Sequence, residues 1–256
     1  MVDVNPKKSL GQHFLTDKNI AGKITSALSC DGYDHVIEIG PGTGILTGFL
    51  IENDRFDISL VEIDSESADY LRKRFPDIAG KIIEQDFLKY PLHLFYSSPI
   101  AIIGNFPYNI SSQIFFKILE SNQLVTEIVC MLQKEVADRI ASPPGSKAYG
   151  ILSVLLQAHY NIESLFNVGP KVFIPPPRVN SAVIRLRRKK NAVLGCNEKL
   201  FASVVKTAFN QRRKMLRNSL SAFLPKDTGH GLLSRRPEQL TVEDFVNITL
   251  LIETTS

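Results

Sequence analysis

The sequence predicts an α/β fold built on a doubly wound, mainly parallel sheet, followed by a small all-helical domain. Short β-branched apolar runs alternate with longer segments of helical period through the first two thirds of the chain, as expected for strand–helix–strand units. Beyond residue 190 the apolar residues recur at helical spacing instead. We therefore expect two domains, covering residues 1–189 and 190–256.

The individual elements follow from local patterns. Strands are predicted for six apolar runs, at residues 36–39, 58–63, 81–84, 100–104, 126–132 and 181–186. A crossover helix is predicted from Ser65, acting as its N-cap, to Phe75, because Pro76 follows. Residues 170–177 end in three successive prolines and predict a stiff connection, since proline fits neither a helix interior nor a central strand.

The C-terminal domain is predicted from an apolar stripe and a capping motif. Thr241 and Asp244 have the spacing of a capping box at the start of a last helix. The stripe on an earlier helix consists of Leu200, Phe201, Val204, Val205, Ala208 and Phe209.

Length and composition exclude several classes of protein. With 256 residues, 44% of them hydrophobic, the chain can bury a full core and is neither disordered nor a disulfide-stapled miniprotein. The three cysteines lie far apart without C-x-x-C spacing, which indicates thiols in a reducing compartment. No secretory signal is evident and no apolar run approaches the ~20 residues that span a bilayer. We therefore expect a cytoplasmic protein without membrane contact, and a monomer because no long apolar patch demands a partner.

Charge is distributed unevenly along the chain. The formal net charge is +4, but residues 185–217 hold eleven basic side chains and one acidic one, so the remainder carries −6. This concentration predicts a surface for a polyanion, although a run of charge is also the ordinary composition of a solvated face. The candidate binding residues are Arg185, Arg187, Arg188, Lys189, Lys190, Arg212, Arg213, Lys214 and Arg217.

A glycine-rich turn follows the first predicted strand and precedes a helix. Gly40, Gly42 and Gly44 stand where the backbone turns tightly and can approach a ligand, although a plain strand-to-helix turn needs the same residues. A dinucleotide fingerprint read from Gly40 requires glycine at position 45, which is Ile45 here, so NAD and FAD are disfavoured.

Acidic residues end the next two strands. Glu62, followed by Ile63, stands 22 positions after Gly40, where a carboxylate can accept bonds from both ribose hydroxyls of a nucleoside. Asp86 and Phe87 follow the third strand and can bind an adenine amine and pack against its ring. Taken singly, Glu62 and Asp86 are more often solvated carboxylates at strand ends than ligand contacts. Taken together, they have the spacing of successive strand-end contacts to one adenosine.

The fourth strand leads into a short loop of Asn105, Phe106, Pro107 and Tyr108. The Asn105 side-chain oxygen and the Phe106 carbonyl can accept the N–H bonds of an exocyclic amine on a flat base, and Tyr108 can stack on that base. Pro107 fixes φ and holds the loop in one geometry. An ordinary turn with a partly buried tyrosine is the alternative interpretation.

Motifs for other chemistries are absent from the sequence. The five histidines show no metal-ligand spacing, and no H-E-x-x-H occurs, so no metal is expected. No G-x-S-x-G elbow occurs either, which leaves an α/β-hydrolase without support.

Taken in series, the motifs resemble the small-subunit ribosomal RNA adenine dimethyltransferase family. They follow the family's order over nearly the whole chain: KKSLGQHFL (7–15), EIGPGTG (38–44), Glu62, QDF (85–87), NFPYNISS (105–112), QKEVADRI (133–140), FIPPPRVNSAV (173–183) and FNQRRKMLRNSL (209–220). The resemblance implies a Rossmann-like class I methyltransferase domain that uses S-adenosylmethionine. It further implies conversion of two adjacent adenosines near the 3′ end of small-subunit rRNA to N6,N6-dimethyladenosine, within a pre-assembled small subunit during ribosome biogenesis.

The resemblance also assigns site residues position by position. Gln12, His13 and Leu15 match the N-terminal segment that caps the cofactor, and His13 stands where many members have asparagine. Phe173 matches the aromatic residue that faces the target base opposite Tyr108. The remaining cofactor positions match Gly40, Glu62, Asp86 and Asn105, of which the last is shared with the target.

Two other functions stay open from the sequence. The first is the sister group that methylates a single adenine of large-subunit rRNA and gives macrolide resistance; the C-terminal FNQRRKMLRNSL and RPEQLTVEDFV resemble the small-subunit group instead. The second is a non-catalytic binder, such as a ribosome assembly factor or, as in mitochondrial relatives, a transcription factor. The intact glycine turn, carboxylates and NFPY loop argue against a loss of chemistry.

Overall fold

The computed structural model describes residues 4–190, 193–225 and 228–255. Nine strands occur among them: β1 Phe14–Leu15, β2 His35–Ile39, β3 Asp57–Glu62, β4 Ile82–Glu84, β5 Ile100–Asn105, β6 Val125–Gln133, β7 Tyr160–Val168, β8 Phe173–Ile174 and β9 Ser181–Arg188. Seven of these form one sheet in the order β4-β3-β2-β5-β6-β9-β7, and β1 pairs separately with β8 in antiparallel orientation.

The sheet is mainly parallel, as the sequence predicts. Strands β2 to β6 are mutually parallel, and β9 joins β6 in antiparallel orientation. From the central β2 the chain builds β3 and β4 on one side and then crosses to β5 and β6 on the other. All six predicted strands are confirmed. β7 is not predicted from the sequence because it is an edge strand in which only the end residues, Tyr160 and Val168, are buried, and no continuous apolar run marks it.

Ten α-helices lie in the described residues: α1 Lys18–Thr25, α2 Thr47–Leu50, α3 Ser65–Arg74, α4 Leu92–Phe95, α5 Ser111–Leu119, α6 Lys134–Ala141, α7 Ile151–His159, α8 Glu198–Asn210, α9 Leu216–Ser219 and α10 Val242–Thr255. The capping box of α10 is confirmed, since Thr241 Oγ1 accepts from Asp244 N at 3.1 Å and Asp244 Oδ2 accepts from Thr241 N at 3.0 Å. The N-cap predicted for α3 is wrong by one residue: it is Asp64, whose side chain makes no capping bond.

The described chain forms two compact units. Within the described residues, one comprises 4–137 with 162–188, and the other 138–161 with 189–255. The second unit therefore includes residues 138–161, which the linear division at residue 189 places in the first domain. The reason is that α7 packs against α8 and α10, contacts that sequence order does not reveal. No helix of the described residues has the length and apolar content to cross a membrane.

Each unit has its own apolar interior. In the first, the strands of the sheet and the surrounding helices share a cluster of buried aliphatic side chains that includes Val36, Leu60, Ile103 and Val129. In the second, Phe209 packs against Tyr149 and Phe245, with ring centroids 6.1 and 6.0 Å apart. The predicted stripe on α8 is confirmed, since Phe201, Val204, Val205 and Ala208 are buried.

Candidate active site

A cavity of about 280 Å³ lies at the carboxyl ends of β2, β3, β4 and β5 in the first unit. This is where chain order reverses across a doubly wound sheet and leaves a crevice for a ligand. Its size is near the lower end of the ~300–1,000 Å³ range of small-molecule sites. The structure brings together twelve of the predicted site residues along its lining: Gln12, His13, Gly40, Gly42, Glu62, Ile63, Asp86, Phe87, Asn105, Phe106, Pro107 and Tyr108.

Three predicted site residues do not line the cavity. Leu15 and Phe173 are partners across the β1–β8 pair and are 3% and 2% exposed, so both belong to the core. Gly44 packs against α3, because a Cβ there would lie 2.6 Å from a ring atom of Phe75. The structure gives these residues a packing role, and their direct contact with ligands stays a prediction.

The carboxylate of Glu62 is fixed by the backbone around it. Its Oε2 accepts a hydrogen bond from Gly42 N at 3.0 Å, and its Oε1 accepts one from Asp64 N at 2.9 Å. Burial raises the pKa of Glu62, and the two amide bonds partly offset this. Each oxygen retains a lone pair for a further donor, so the carboxylate can accept bonds from neighbouring hydroxyls.

A second carboxylate, Asp86, follows β4. Its Oδ1 accepts a bond from Leu88 N at 2.9 Å, which caps a short 3₁₀ turn and orients the side chain. Phe87 beside it is 4% exposed and presents an apolar wall to the cavity. A carboxylate oxygen next to an aromatic face can recognise an amino group on a flat ring.

The amide of Asn105 is held at the end of β5. Gly104 allows β5 to approach β2 closely there, since a Cβ would lie 2.5 Å from the Ile39 carbonyl oxygen. Asn105 Nδ2 donates to the backbone oxygen of His13 at 2.8 Å, whereas its Oδ1 is buried without a hydrogen-bond partner among the described residues. A buried acceptor without a donor is costly, which marks the position that an N–H group from a ligand would satisfy.

The aromatic side of the cavity is built from Tyr108 and His13. Their ring centroids are 5.3 Å apart at an interplanar angle of 31°. The Tyr108 hydroxyl is hydrogen-bonded to Ser181 Oγ, and His13 Nδ1 donates to the Pro175 carbonyl at 2.7 Å. Burial raises the pKa of Tyr108, against the lowering effect of the Ser181 bond, so the ring is a neutral phenol at physiological pH.

The comparisons with known proteins bear on this geometry. A family model described as ribosomal RNA adenine dimethylase matches residues 4–253. The chain belongs to that family. The Rossmann-like α/β fold and the family that the sequence motifs indicate are thereby confirmed.

Individual members and solved structures agree with that assignment. A relative from Parabacteroides distasonis, named ribosomal RNA small subunit methyltransferase A, is 54% identical over 251 residues, which covers 97% of this chain and 94% of the relative. A dimethyladenosine transferase from Plasmodium falciparum has the same fold, with a TM-score of 0.78 at 24% identity over 94% of this chain and 98% of its own. The 23S rRNA methyltransferase ErmE superposes with a TM-score of 0.68 at 26% identity, over 92% of this chain and 99% of its own.

The cofactor of the adenine dimethylase family is S-adenosylmethionine, and the donor set of the cavity fits it. The cofactor has ribose hydroxyls, an adenine amine and a cationic end. The cavity has a fixed carboxylate at Glu62, a carboxylate at Asp86 that caps a 3₁₀ turn, and an apolar wall at Phe87. It also has the Asn105 Oδ1 acceptor, which lacks a partner among the described residues. The turn at Gly40 and Gly42, with φ of +62° and +56°, removes Cβ atoms from the cavity wall.

The sequence analysis missed part of the lining. Ser9, Leu10, Gly11 and Phe14 line the cavity from the N-terminal segment. Their signal was present in the motif KKSLGQHFL, but single residues of a loop carry no local pattern that reveals which of them face a ligand. In the described residues, no cluster of three or more histidine, cysteine or acidic side chains is arranged to hold a metal ion.

The structure separates the nine predicted basic contacts into two groups. Four have their cationic groups engaged by protein acceptors: Arg185 by Glu163 and the Ala27 carbonyl, Arg188 by the carbonyls of residues 122 and 123, Lys189 by the Gln157 carbonyl, and Arg212 by the Ser146 carbonyl. Five are exposed, and their side chains make no hydrogen bond or ion pair with other described residues: Arg187, Lys190, Arg213, Lys214 and Arg217. The second group is free to meet phosphates.

Proposed function

We propose that this protein transfers methyl groups from S-adenosylmethionine to N6 of two adjacent adenosines near the 3′ end of small-subunit rRNA, giving N6,N6-dimethyladenosine. The observation that carries the proposal is the Asn105 loop in the lining of the cavity, which includes Tyr108 and a buried acceptor, Asn105 Oδ1, without a hydrogen-bond partner among the described residues. The substrate is rRNA within a pre-assembled small subunit during ribosome biogenesis.

The chemistry requires alignment more than activation. An adenine N6 lone pair is delocalised into the ring and is a poor nucleophile, while the bound cofactor supplies a strongly electrophilic sulfonium methyl. The chain must therefore hold the nitrogen in line with the methyl group, and such alignment can lower a barrier by several kcal/mol. This agrees with the lack of a candidate general base at the NFPY loop.

Each residue of the loop has a role in this proposal. Asn105 Oδ1 and the Phe106 carbonyl accept N–H bonds from the amine and act as oriented dipoles for charge that develops on nitrogen. Pro107 limits the motion of the loop. Tyr108 stacks on the base and stabilises a developing cation over its face, after the base has left its stack in the RNA.

The exposed cations of the second unit supply the contact to the RNA backbone. Arg213 and Lys214 line a shallow depression together with Met215, Asn218 and Arg236. A surface of this kind neutralises phosphates without reading sequence.

A methylation assay tests the proposal. The protein is incubated with methyl-labelled cofactor and either unmethylated small subunits, large subunits or the free rRNAs, and labelled nucleosides are identified after digestion. We expect N6,N6-dimethyladenosine from the small subunit. Label confined to large-subunit RNA would instead assign the activity of the ErmE type, and label on free small-subunit rRNA alone would contradict the assembled substrate.

The variant Asn105→Ala tests the mechanism within the same assay. We expect methyl transfer to fall by a factor of ~10²–10³, the usual loss of an oriented dipole at a reacting centre, with little change in RNA affinity. Asn19→Ala is the control, because Asn19 is exposed on α1 and does not line the cavity. Normal turnover by Asn105→Ala would remove this residue from the mechanism.

A further inference from the structure

The N-terminal segment runs along one side of the cavity, and we call residues 7–15 the strap. Ser9 to Phe14 of the strap line the cavity. Gly11, with φ of +65°, lies against the loop after β5, since a Cβ there would be 2.5 Å from Asn109 Oδ1. The strap therefore bounds this side of the cavity together with the loop after β5, and the position of the strap affects how well a ligand is enclosed.

One end of the strap is held by strand pairing. Phe14 and Leu15 form β1 and pair with β8, and Thr16 N donates to the Val172 carbonyl at 2.9 Å. These backbone bonds fix the strap where it enters α1. They do not restrain its other end, which lies before the cavity-lining residues.

The other end is held mainly by a buried carboxylate, Asp64, while the exposed Glu66 adds a second ion pair to Lys7 at 3.3 Å. Asp64 Oδ1 is paired with Lys7 Nζ, and its Oδ2 accepts bonds from Gln12 Nε2 at 3.3 Å and from Ser67 Oγ at 2.9 Å. Gln12 Oε1 in turn accepts from Lys7 N at 2.7 Å, so the Gln12 amide is held from both sides. We call Lys7, Gln12 and Asp64 the latch.

Burial makes Asp64 a strong anchor. Its side chain is 2% exposed, whereas Lys7 is 39% exposed. Burial alone would raise the pKa of Asp64, but bonds from Lys7, Gln12 and Ser67 outweigh this and hold the pKa below its usual value. The carboxylate is thus charged at neutral pH, and removal of its donors would leave it buried without compensation.

Asp64 also connects the strap to the ribose-binding carboxylate. Its backbone N–H donates to Glu62 Oε1 at 2.9 Å while its side chain holds Gln12. The same residue therefore sets the position of a ligand group at the base of the cavity and of the strap beside it.

We propose that Asp64 is a positioning residue that latches the strap beside the cavity through Lys7 and Gln12, and thereby retains the bound cofactor. This inference rests on the proposed function. A broken latch leaves the strap held at β1 and at His13, whose carbonyl oxygen accepts from Asn105 Nδ2, but loosens the residues before His13. The cofactor then dissociates faster, while the geometry of transfer at the Asn105 loop is unchanged.

The experiment measures release of labelled S-adenosylhomocysteine after a chase with unlabelled ligand. We expect Asp64→Asn and Lys7→Met each to speed release by at least about tenfold, as for loss of a hydrogen bond to a charged group. The double variant should release no faster than either single variant, because both changes break one latch. Asp69→Asn is the matched control, since Asp69 lies on the same helix α3, is 67% exposed and pairs with Arg72 rather than with the strap.

Two further readouts separate positioning from a general loss of structure. The KM for S-adenosylmethionine should rise about tenfold for both variants, while kcat at saturating cofactor stays within about threefold. Amide hydrogen exchange should speed up in residues 8–13 and not in β2 or β5.

Release rates equal to wild type in either single variant, or additive effects in the double variant, would overturn the latch. A large fall in kcat together with the rise in KM, with exchange spread through the sheet, would assign Asp64 a structural role instead. A wild-type protein that fails to bind S-adenosylhomocysteine would overturn the proposed function and this inference with it, whereas unchanged release by the variants beside normal wild-type binding would overturn this inference alone.

Discussion

At the scale of single residues, two buried carboxyl groups near the glycine turn have different environments. Burial raises the pKa of Glu62, and its bonds from two backbone amides partly offset this. Glu38 on β2 is 1% exposed, and its Oε2 accepts a hydrogen bond from Thr47 Oγ1 at 2.7 Å. Burial raises the pKa of Glu38 to about 8, with a smaller contribution from the charge of Glu62, against the lowering effect of Thr47. Glu38 is therefore a neutral acid at pH 7 and ties β2 to α2.

This state predicts a pH-dependent stability. The folded carboxyl keeps its proton up to about pH 8, whereas an ordinary glutamate loses it near 4.5, so the folded state binds more protons between these values. The free energy of unfolding must then fall as the pH rises from about 4.5 to about 8, by at most about 1.4 kcal/mol per pH unit. Glu38→Gln should make the melting temperature less dependent on pH. Glu52→Gln, at an exposed position, should melt like wild type at each pH, and equal slopes for all three proteins would contradict the neutral state of Glu38.

At the scale of elements, the turn between β2 and α2 depends on its glycines for two reasons. Gly42 has φ of +56°, a conformation that L-residues adopt at a cost. A Cβ at Gly42 would also lie 2.8 Å from the Phe14 ring, so the turn and strand β1 are packed without room for a methyl group. The turn thus determines where the strap enters the cavity.

Gly42→Ala should therefore weaken cofactor binding. We expect the Kd for S-adenosylhomocysteine to rise by at least about tenfold, since strain in the left-handed region costs ~1–2 kcal/mol and Phe14 must also move. Gly48→Ala is the control, because Gly48 lies in α2 with open space around its Cα and alanine favours a helix. Calorimetric titration compares the two. A Kd unchanged by Gly42→Ala would show that the turn can relax.

At the scale of the whole molecule, basic charge is concentrated late in a chain that carries only +4 overall. The structure shows that a basic residue in the sequence is not necessarily a basic group on the surface. The side chains of Arg185 and Arg212 donate hydrogen bonds to backbone carbonyls of the protein. Those of Arg213, Lys214 and Arg217 are exposed. We expect the exposed group to carry most of the contact with phosphate.

Combined replacement of Arg213, Lys214 and Arg217 by glutamine tests this expectation. RNA affinity should fall, and the slope of log K against log [salt] should become shallower by about two to three, since each lost phosphate contact removes ~0.7–0.9. Filter binding at several salt concentrations measures both. The control replaces three exposed lysines of the first unit, Lys18, Lys23 and Lys73, by glutamine. An equal change in slope for both triple variants would indicate that binding follows net charge rather than this surface.

The sequence by itself determined the parallel sheet, the glycine turn and the side chains that end β3, β4 and β5. These features are local: a strand needs only an apolar run, and the residue after it lies at the sheet edge whatever the remaining chain does. The predictions for Glu62, Asp86 and Asn105 followed from that geometry together with a family resemblance.

Only the tertiary structure decided which residues close the site and which charges are free. Lys7 and Asp64 are 57 residues apart, and no local pattern in either segment indicates that they pair. In the same way, α7 belongs to the second unit, and Phe173 is buried in the β1–β8 pair. Both placements result from packing between segments that are distant in sequence, which buries apolar surface that no local pattern indicates. Burial and pairing are properties of the folded chain, and they determine whether a charged or aromatic residue faces a ligand or the protein itself.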